Sequence, residues 1–369
     1  MSGRRVLMTV DAVGGVWRYA MDLADGLARS GTTIVFAGFG PRPSEAERRE
    51  AEAIGRLFWF DAPLDWMAAS PSALADIPGL IADLARREAV DLLHLNLPSQ
   101  AAGLRIDLPV LVVSHSCVVT WFAAVRGTHV PEDWAWQRAV TAEGLAQADA
   151  VVAPSRSHAS ALAAAYDLQS PITVIENASR LVAQTPEKQP FCFAAGRWWD
   201  AGKNGAVLDA AAAAMPWPMV MAGPTCGPNG ESLALEHADH RGALAHAETM
   251  ALMRRAAVVL SPSLYEPFGL AALEAARLGC ALVLSDIPTY RELWDGAALF
   301  ANPRDPAAFA AQATRLADDS VLRQQMADAA TLRARRFTLP TQTKAVLTLY
   351  DRLHARHRVP RPALIDAAE

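Results

Sequence analysis

The sequence predicts an α/β chain of two doubly wound parallel-sheet domains facing each other across a cleft. Three observations predict it. Short apolar runs alternate with helical patterns over almost all of the 369 residues, as buried parallel strands with crossover helices require. A polar, proline-flanked stretch, Gln184–Pro190, interrupts this alternation before it restarts. The length also exceeds what one ordinary core fills.

In the first half, Val6–Val10, Thr32–Ala37, Leu57–Phe60, Asp91–Leu95, Val110–Val113, Ala150–Ala153 and Ile172–Ile175 read as strands. Helical spacing appears at Val16–Arg29, Ser44–Ile54, Ser72–Arg87 and Arg156–Tyr166, with Ser44 and Ser72 as N-caps and Gly31 as a helix stop. Beyond the linker, strands are expected at Phe191–Ala195, Met219–Ala222, Val258–Leu260, Leu282–Leu284 and Ala298–Phe300. Helices are expected near Gly205–Ala214, Ala247–Arg255, Gly269–Leu278 and Pro306–Ala317. A last amphipathic helix, Thr341–Arg356, follows Pro340 and is long enough to pack back on the first domain. The expected division is therefore 1–183, 184–339 and a C-terminal helix within 340–369. Ligands in such an architecture bind between the C-terminal ends of the two sheets.

Composition narrows the partners. Lys and Arg total 34 against 39 Asp and Glu, a net charge of −5. That leaves no basic footprint for nucleic acid. Cys117, Cys192, Cys226 and Cys280 form no C-x-x-C pair, which suggests reduced thiols and a cytoplasmic protein. The first apolar run is too short for a signal peptide. The uncharged stretch Leu108–Val125 contains Pro109, Ser114, His115, Ser116 and Thr120, so a buried strand followed by a loop fits better than a membrane span. Peripheral attachment to the inner membrane face stays open. The only lysines are Lys188, Lys203 and Lys344, which makes a lysine inside a motif conspicuous.

The strongest motif, Ser261-Pro262-Ser263-Leu264-Tyr265-Glu266-Pro267-Phe268-Gly269-Leu270-Ala271-Ala272-Leu273-Glu274-Ala275, follows a predicted strand. Glu266 sits on the turn into a helix, where Gly269 allows close backbone approach. The N–H groups of Phe268, Gly269 and Leu270 would form an anion- or hydroxyl-binding helix end. Glu274 lies eight positions later and can reach the same cleft from a different height. Two carboxylates around backbone donors suit a polyhydroxylated ligand carrying phosphate; a loop glutamate and a solvated helix glutamate are the plainer alternative.

In Gly196-Arg197-Trp198-Trp199-Asp200-Ala201-Gly202-Lys203-Asn204, Arg197 and Lys203 bracket a strand-to-helix turn. A guanidinium fork and a point charge suit a diphosphate held without metal. The spacing is one residue too long for a P-loop, and Asn204 stands where Ser or Thr would hold magnesium. Asp11-Ala12-Val13-Gly14-Gly15 is a glycine-rich turn after the first strand but is not G-x-G-x-x-G. His115 falls at the cleft end of a strand, where a functional residue and a packed loop histidine both fit. No G-x-S-x-G makes Ser114 or Ser116 a hydrolase nucleophile. His237, Asp239, His240 and His246 lack metal-ligand spacing, so no metal is expected. Trp17, Tyr19, Trp121, Trp134 and Trp136 could stack on sugars but read mainly as core.

Together these residues resemble the retaining glycosyltransferases of family 4, of the GT-B fold with two facing Rossmann-like domains. The resemblance rests on the glycine pair, the mid-domain histidine, Gly-Arg…Lys and Glu-Pro-Phe-Gly-Leu-x-x-x-Glu-Ala, in that order along the chain. It implies that Glu266 binds donor-sugar hydroxyls, Glu274 the ribose, Arg197 and Lys203 the diphosphate, and the Phe268, Gly269 and Leu270 amides the sugar or phosphate. Gly14 and Gly15 would let the first domain close, and His115 would lie near the reacting sugar. The implied partners are a nucleoside-diphosphate sugar and a carbohydrate or lipid-linked acceptor, with no metal or other cofactor. Three places depart from the pattern: Glu176-Asn177-Ala178 replaces Pro-Asn-Gly, Asn204 replaces glycine, and Cys280-Ala281 replaces Thr-Pro. A nucleotide-sugar epimerase or hydrolase on a similar scaffold, and a non-catalytic nucleotide-sugar binding protein, are the competing readings.

Overall fold

The structure, a computed structural model, describes residues 3–183 and 187–357. The first half contains strands β1 (Arg5–Asp11), β2 (Thr33–Phe39), β3 (Arg56–Trp59), β4 (Leu92–Leu95), β5 (Val110–Val113), β6 (Ala150–Ala153) and β7 (Thr173–Val174). Its helices are α1 (Gly15–Arg29), α2 (Glu45–Glu52), α3 (Ile77–Arg87), α4 (Val118–Trp121), α5 (Ala135–Gln147) and α6 (Arg156–Tyr166). The second half adds strands β8 (Gln189–Ala195), β9 (Met219–Ala222), β10 (Asp239–His240), β11 (Ala256–Ser261), β12 (Ala281–Ser285) and β13 (Leu299–Ala301). It also adds helices α7 (Gly205–Ala212), α8 (His246–Arg255), α9 (Leu270–Arg277), α10 (Pro288–Trp294), α11 (Pro306–Asp318), α12 (Ser320–Ala334) and α13 (Leu339–His357).

Both sheets are parallel throughout. Their strand orders are β3-β2-β1-β4-β5-β6-β7 and β10-β9-β8-β11-β12-β13. Each chain half winds outward from its first strand and then returns to the other side of it. The crevices at the β1/β4 and β8/β11 reversals are where this architecture binds ligands. Each sheet is apolar on both faces. Val6, Met8 and Val10 of β1 enter one core and Leu7 the opposite one; Phe193 and Cys192 of β8 divide likewise. Helix α13 lays Val346, Leu349, Tyr350 and Leu353 into the core of the first sheet with α1, each such buried side chain contributing about 1.5–3 kcal/mol.

Most predicted strands and helices appear within a few residues, and Ser44 caps α2 through a complete capping box with Glu47. Gly31, at φ +87°, closes α1. Ser72, by contrast, is no N-cap: a 3-10 turn, Pro71–Leu74, precedes α3, whose N-cap residue is Asp76. The stretch after β5 is not a loop but α4 followed by a π-turn, Phe122–Arg126. Helices α5 and α12 were not signalled by apolar periodicity. The inward faces carry Gln137, Thr141 and Gly144 on α5, and Ala327, Ala330 and Ala334 on α12, which make no apolar stripe.

Part of the expected linker, Gln184–Pro186, lies outside the described residues. The remainder is not free chain: Gln189 and Pro190 already belong to β8. Lys188 Nζ donates to the carbonyls of Arg254 (3.0 Å) and Leu278 (2.6 Å) and lies 3.2 Å from Cys280 Sγ. Arg277 on α9 donates to the Leu181 carbonyl on the outgoing crossing and to the Phe337 carbonyl on the returning one, both at 2.7 Å. Glu176, where the family pattern has proline, accepts from Arg336 at 2.8 Å. Among the described residues no helix is long and apolar enough to cross a membrane.

Candidate active site

The facing ends of the two sheets bring the sequence motifs together. After β1, Gly14 adopts φ +96°, and a Cβ there would stand 3.3 Å from Arg197 Nη1. A Cβ on Gly15 would stand 3.6 Å from Leu270. The glycine pair therefore seats the first domain's backbone against the second. Arg197, after β8, donates to the Val13 carbonyl at 3.3 Å and pairs with Asp200 at 3.5 Å. Its guanidinium lies 6.0 Å from the Trp66 ring and 5.4 Å from Trp199, and these two rings stack across the cleft at 6.2 Å.

Asp200 organises this loop. Its Oδ1 accepts from the Gly202 amide (2.8 Å) and from Trp121 Nε1 (3.0 Å) at the end of α4. Lys203 follows, and its Nζ meets Glu266 Oε2 at 2.6 Å. The lysine and glutamate are 23% and 15% exposed, so the pair is screened yet reachable. Asn204 takes the left-handed conformation, φ +58°, which explains why glycine suits this place. Its amide donates to the carbonyls of Pro262 (2.9 Å) and Pro303 (2.6 Å), tying the lysine loop to the glutamate loop.

On the other side, Gly269 is the N-cap residue of α9 at φ +90°, and no side chain caps this helix. Its first N–H groups are left as donors. A Cβ on Gly269 would fall 2.7 Å from the Tyr290 ring and 3.4 Å from Glu266 Cγ. Gly269→Ala is accordingly expected to cost about 1–3 kcal/mol of backbone strain and to displace Glu266. The check is a thermal melt, shifted to a lower temperature. Phe268 contributes backbone only, since its ring is buried edge-on against Phe337.

Glu274 is 7% exposed on α9. Burial, with Asp22 of the first domain adding repulsion, pushes its carboxyl up to about 8, against the opposing pull of Arg18. Asp22 itself is held by Arg18 and Arg180 at 2.9 and 3.2 Å. Asp11 is likewise raised, to about 6, by burial. His115 lies past β5 with Nε2 3.0 Å from Asn96 Oδ1 and the Tyr19 ring edge-on at 4.3 Å. Burial, then the neighbouring His94 and His158, push it down to about 3, so it is neutral at physiological pH. Among the described residues no group of three or more His, Cys, Asp or Glu is placed to hold a metal ion.

Comparison with known families decides where this geometry belongs. Residues 13–179 match the model for Glycosyltransferase Family 4, and residues 230–333 match that for Glycosyl transferases group 1. The chain belongs to the family 4 glycosyltransferases. In this family 4 protein, Gly14, Gly15 and His115 fall in the first match and Glu266 to Glu274 in the second, with Arg197 and Lys203 between them. A glycogen synthase of Mycobacterium tuberculosis is 38% identical over 126 residues, 33% of this chain and 30% of that protein's length. Sucrose-phosphate synthase from Thermosynechococcus elongatus superposes over 96% of this chain and 100% of its own, at TM-score 0.78 and 17% identity. Anabaena Alr3699/HepE in complex with UDP-glucose does so over 94% and 99%, at TM-score 0.71 and 15% identity. These structures share the GT-B fold.

Several residues of the family 4 site escaped the sequence reading. Asp200 and Tyr265 stand inside the quoted motifs, but their partners lie in the other domain. The Tyr265 hydroxyl accepts from the Cys117 amide at 3.1 Å and meets Thr120 Oγ1 at 2.8 Å. Asn96, the first polar residue after the buried β4, carried a positional signal; Trp66 carried none. Trp17 and Tyr19 are core, as expected, being 5% and 4% exposed.

Proposed function

We propose that this family 4 chain is a retaining glycosyltransferase. It moves a sugar from a nucleoside-diphosphate donor, a UDP-sugar first and GDP-mannose next, to a hydroxyl of a carbohydrate or lipid-linked acceptor. Residues 1–183 form the acceptor side, 184–339 the donor side, and the helix within 340–369 completes the first. The observation that carries the reading is the Lys203–Glu266 pair at 2.6 Å, joined through Asn204 and Asp200 to Arg197 where the two sheets face each other.

The anomeric carbon–oxygen bond breaks with its electron pair going to the leaving diphosphate, whose charge Arg197 and Lys203 neutralise. The acceptor oxygen bonds to the anomeric carbon on the same face, and its proton passes to the departing phosphate oxygen. Glu266 and the amides of Phe268, Gly269 and Leu270 orient the donor sugar, Glu274 holds the ribose, and neutral His115 lies beside the reacting ring. Holding both substrates in one geometry supplies much of the rate. The glycine turn and the Trp66–Trp199 pair keep water from the diphosphate.

Support for a nucleotide-sugar donor comes from the HepE likeness and from the order of motifs along the chain. The test is release of nucleoside diphosphate from a panel of UDP-, GDP- and ADP-sugars with a broad acceptor set, in the presence of EDTA. Acceptor-dependent release with an α-linked product from an α-linked donor is expected. Release without transfer, epimerisation of the donor, or binding with no turnover would overturn the reading.

A further inference from the structure

The ends of three adjacent strands, β1, β4 and β5, supply one hydrogen-bonded chain behind His115. Thr9 is 1% exposed and Asn96 3%. The Asn96 amide N–H donates to Thr9 Oγ1 at 2.7 Å, and its side-chain Nδ2 donates to the Thr9 carbonyl at 2.6 Å. A carbonyl can only accept, so the side-chain nitrogen must face it and the amide cannot be turned over. Oδ1 therefore points the other way, 3.0 Å from His115 Nε2. An amide oxygen can only accept as well, so Nε2 must carry the proton. A neutral imidazole has one N–H, which leaves Nδ1 with its lone pair free. Among the described residues no hydrogen bond reaches Nδ1, and it is not among the sealed polar atoms lacking a partner. Tyr19 braces the ring from the side.

We infer that Asn96 is a positioning residue that fixes His115 in its Nε2–H form, so that Nδ1 accepts a hydrogen bond from a hydroxyl of the bound sugar. This rests on the donor-site reading above. It makes the histidine a selector for a hydroxyl rather than a proton donor. The nucleotide portion of the donor, held by the other domain, gains nothing from Asn96.

Two measurements on the full chain test it. Two-bond 1H–15N spectra of histidine-labelled protein, with His115 assigned through His115→Gln, should show the Nε2–H pattern. An Nδ1–H or imidazolium pattern overturns the inference whether or not any donor is turned over. Calorimetry with UDP-glucose and with UDP then reads the consequence. Asn96→Leu should weaken UDP-glucose binding at least fivefold, leave UDP unchanged and lose the single tautomer. Asn96→Ala, which removes the same acceptor oxygen with less bulk, should lose the single tautomer likewise, and its spectrum serves if Asn96→Leu fails to fold. An equal loss for UDP and UDP-glucose in Asn96→Leu overturns the inference, as does an unchanged spectrum. Failure of the donor reading alone appears differently, as no binding of either nucleotide by the parent protein with the Nε2–H spectrum intact.

Discussion

Lys203→Ala is expected to abolish release of nucleoside diphosphate, and Glu266→Ala to do the same by a different route. On the proposed mechanism Lys203 supplies a compact charge at the departing diphosphate. Removing one such preorganised group costs about 10²–10³-fold in turnover in enzymes where it has been tested. It also leaves the Glu266 carboxylate, 15% exposed, without its 2.6 Å partner. The remaining carboxylate would repel the incoming diphosphate, so the loss should lie at the upper end of that range. Glu266→Ala leaves the charge on Lys203 but removes the proposed acceptor for sugar hydroxyls. Its loss should appear with the intact nucleotide sugar and be small for binding of the nucleoside diphosphate alone. Stopped assays over a donor panel, with calorimetry for the diphosphate, separate the two. Full activity in both variants would overturn the assignment of the donor site to this loop.

Nucleotide affinity should rise with pH because of Glu274. Its carboxyl is raised to about 8, chiefly by burial, so it is largely protonated at pH 7. If the carboxylate form accepts the ribose hydroxyls, binding must release that proton. Affinity then climbs up to tenfold per pH unit below about 8 and levels off above it. Folding carries the opposite sign. The unfolded chain ionises this carboxyl near 4.5 while the folded chain holds the proton to about 8, so stability attributable to Glu274 is lost as pH rises between those values. Glu274→Gln should flatten both dependences and weaken UDP binding. Titrations at pH 6, 7 and 8 in buffers of different ionisation enthalpy count the proton directly; none released would refute the ribose role of the carboxylate.

Fold and site were legible to different depths. Parallel strands buried on both faces are continuous apolar runs, so β5, β6 and β9 were readable to the residue. Helices that bury alanine, glycine or glutamine against their neighbours present no stripe, and α5 and α12 stayed hidden for that reason. The charged site residues stood out because their neighbours in sequence were glycines and prolines at strand ends. What the sequence could not convey was partnership across the cleft. Arg197 meets Val13, 184 positions away, and Tyr265 meets Thr120, 145 positions away. Asn204 departed from the family pattern in name only, since asparagine tolerates the same left-handed backbone and adds two tethers of its own.

Arg277 holds the outgoing and returning crossings in one guanidinium, and Glu176 with Arg336 binds the same two segments again. Two strands of chain between domains would ordinarily allow twisting and shearing as well as bending. Tied together twice, through Glu176 with Arg336 and through Arg277 at Leu181 and Phe337, the two crossings form one double hinge. Glu274 lies on α9 one helical turn from Arg277, and so beside this hinge. Arg197, Gly14 and His115 stand instead on the loops that follow β8, β1 and β5. On the proposed function, any opening of the cleft should therefore disturb the ribose contact at Glu274 less than the contacts that the loops make to the sugar.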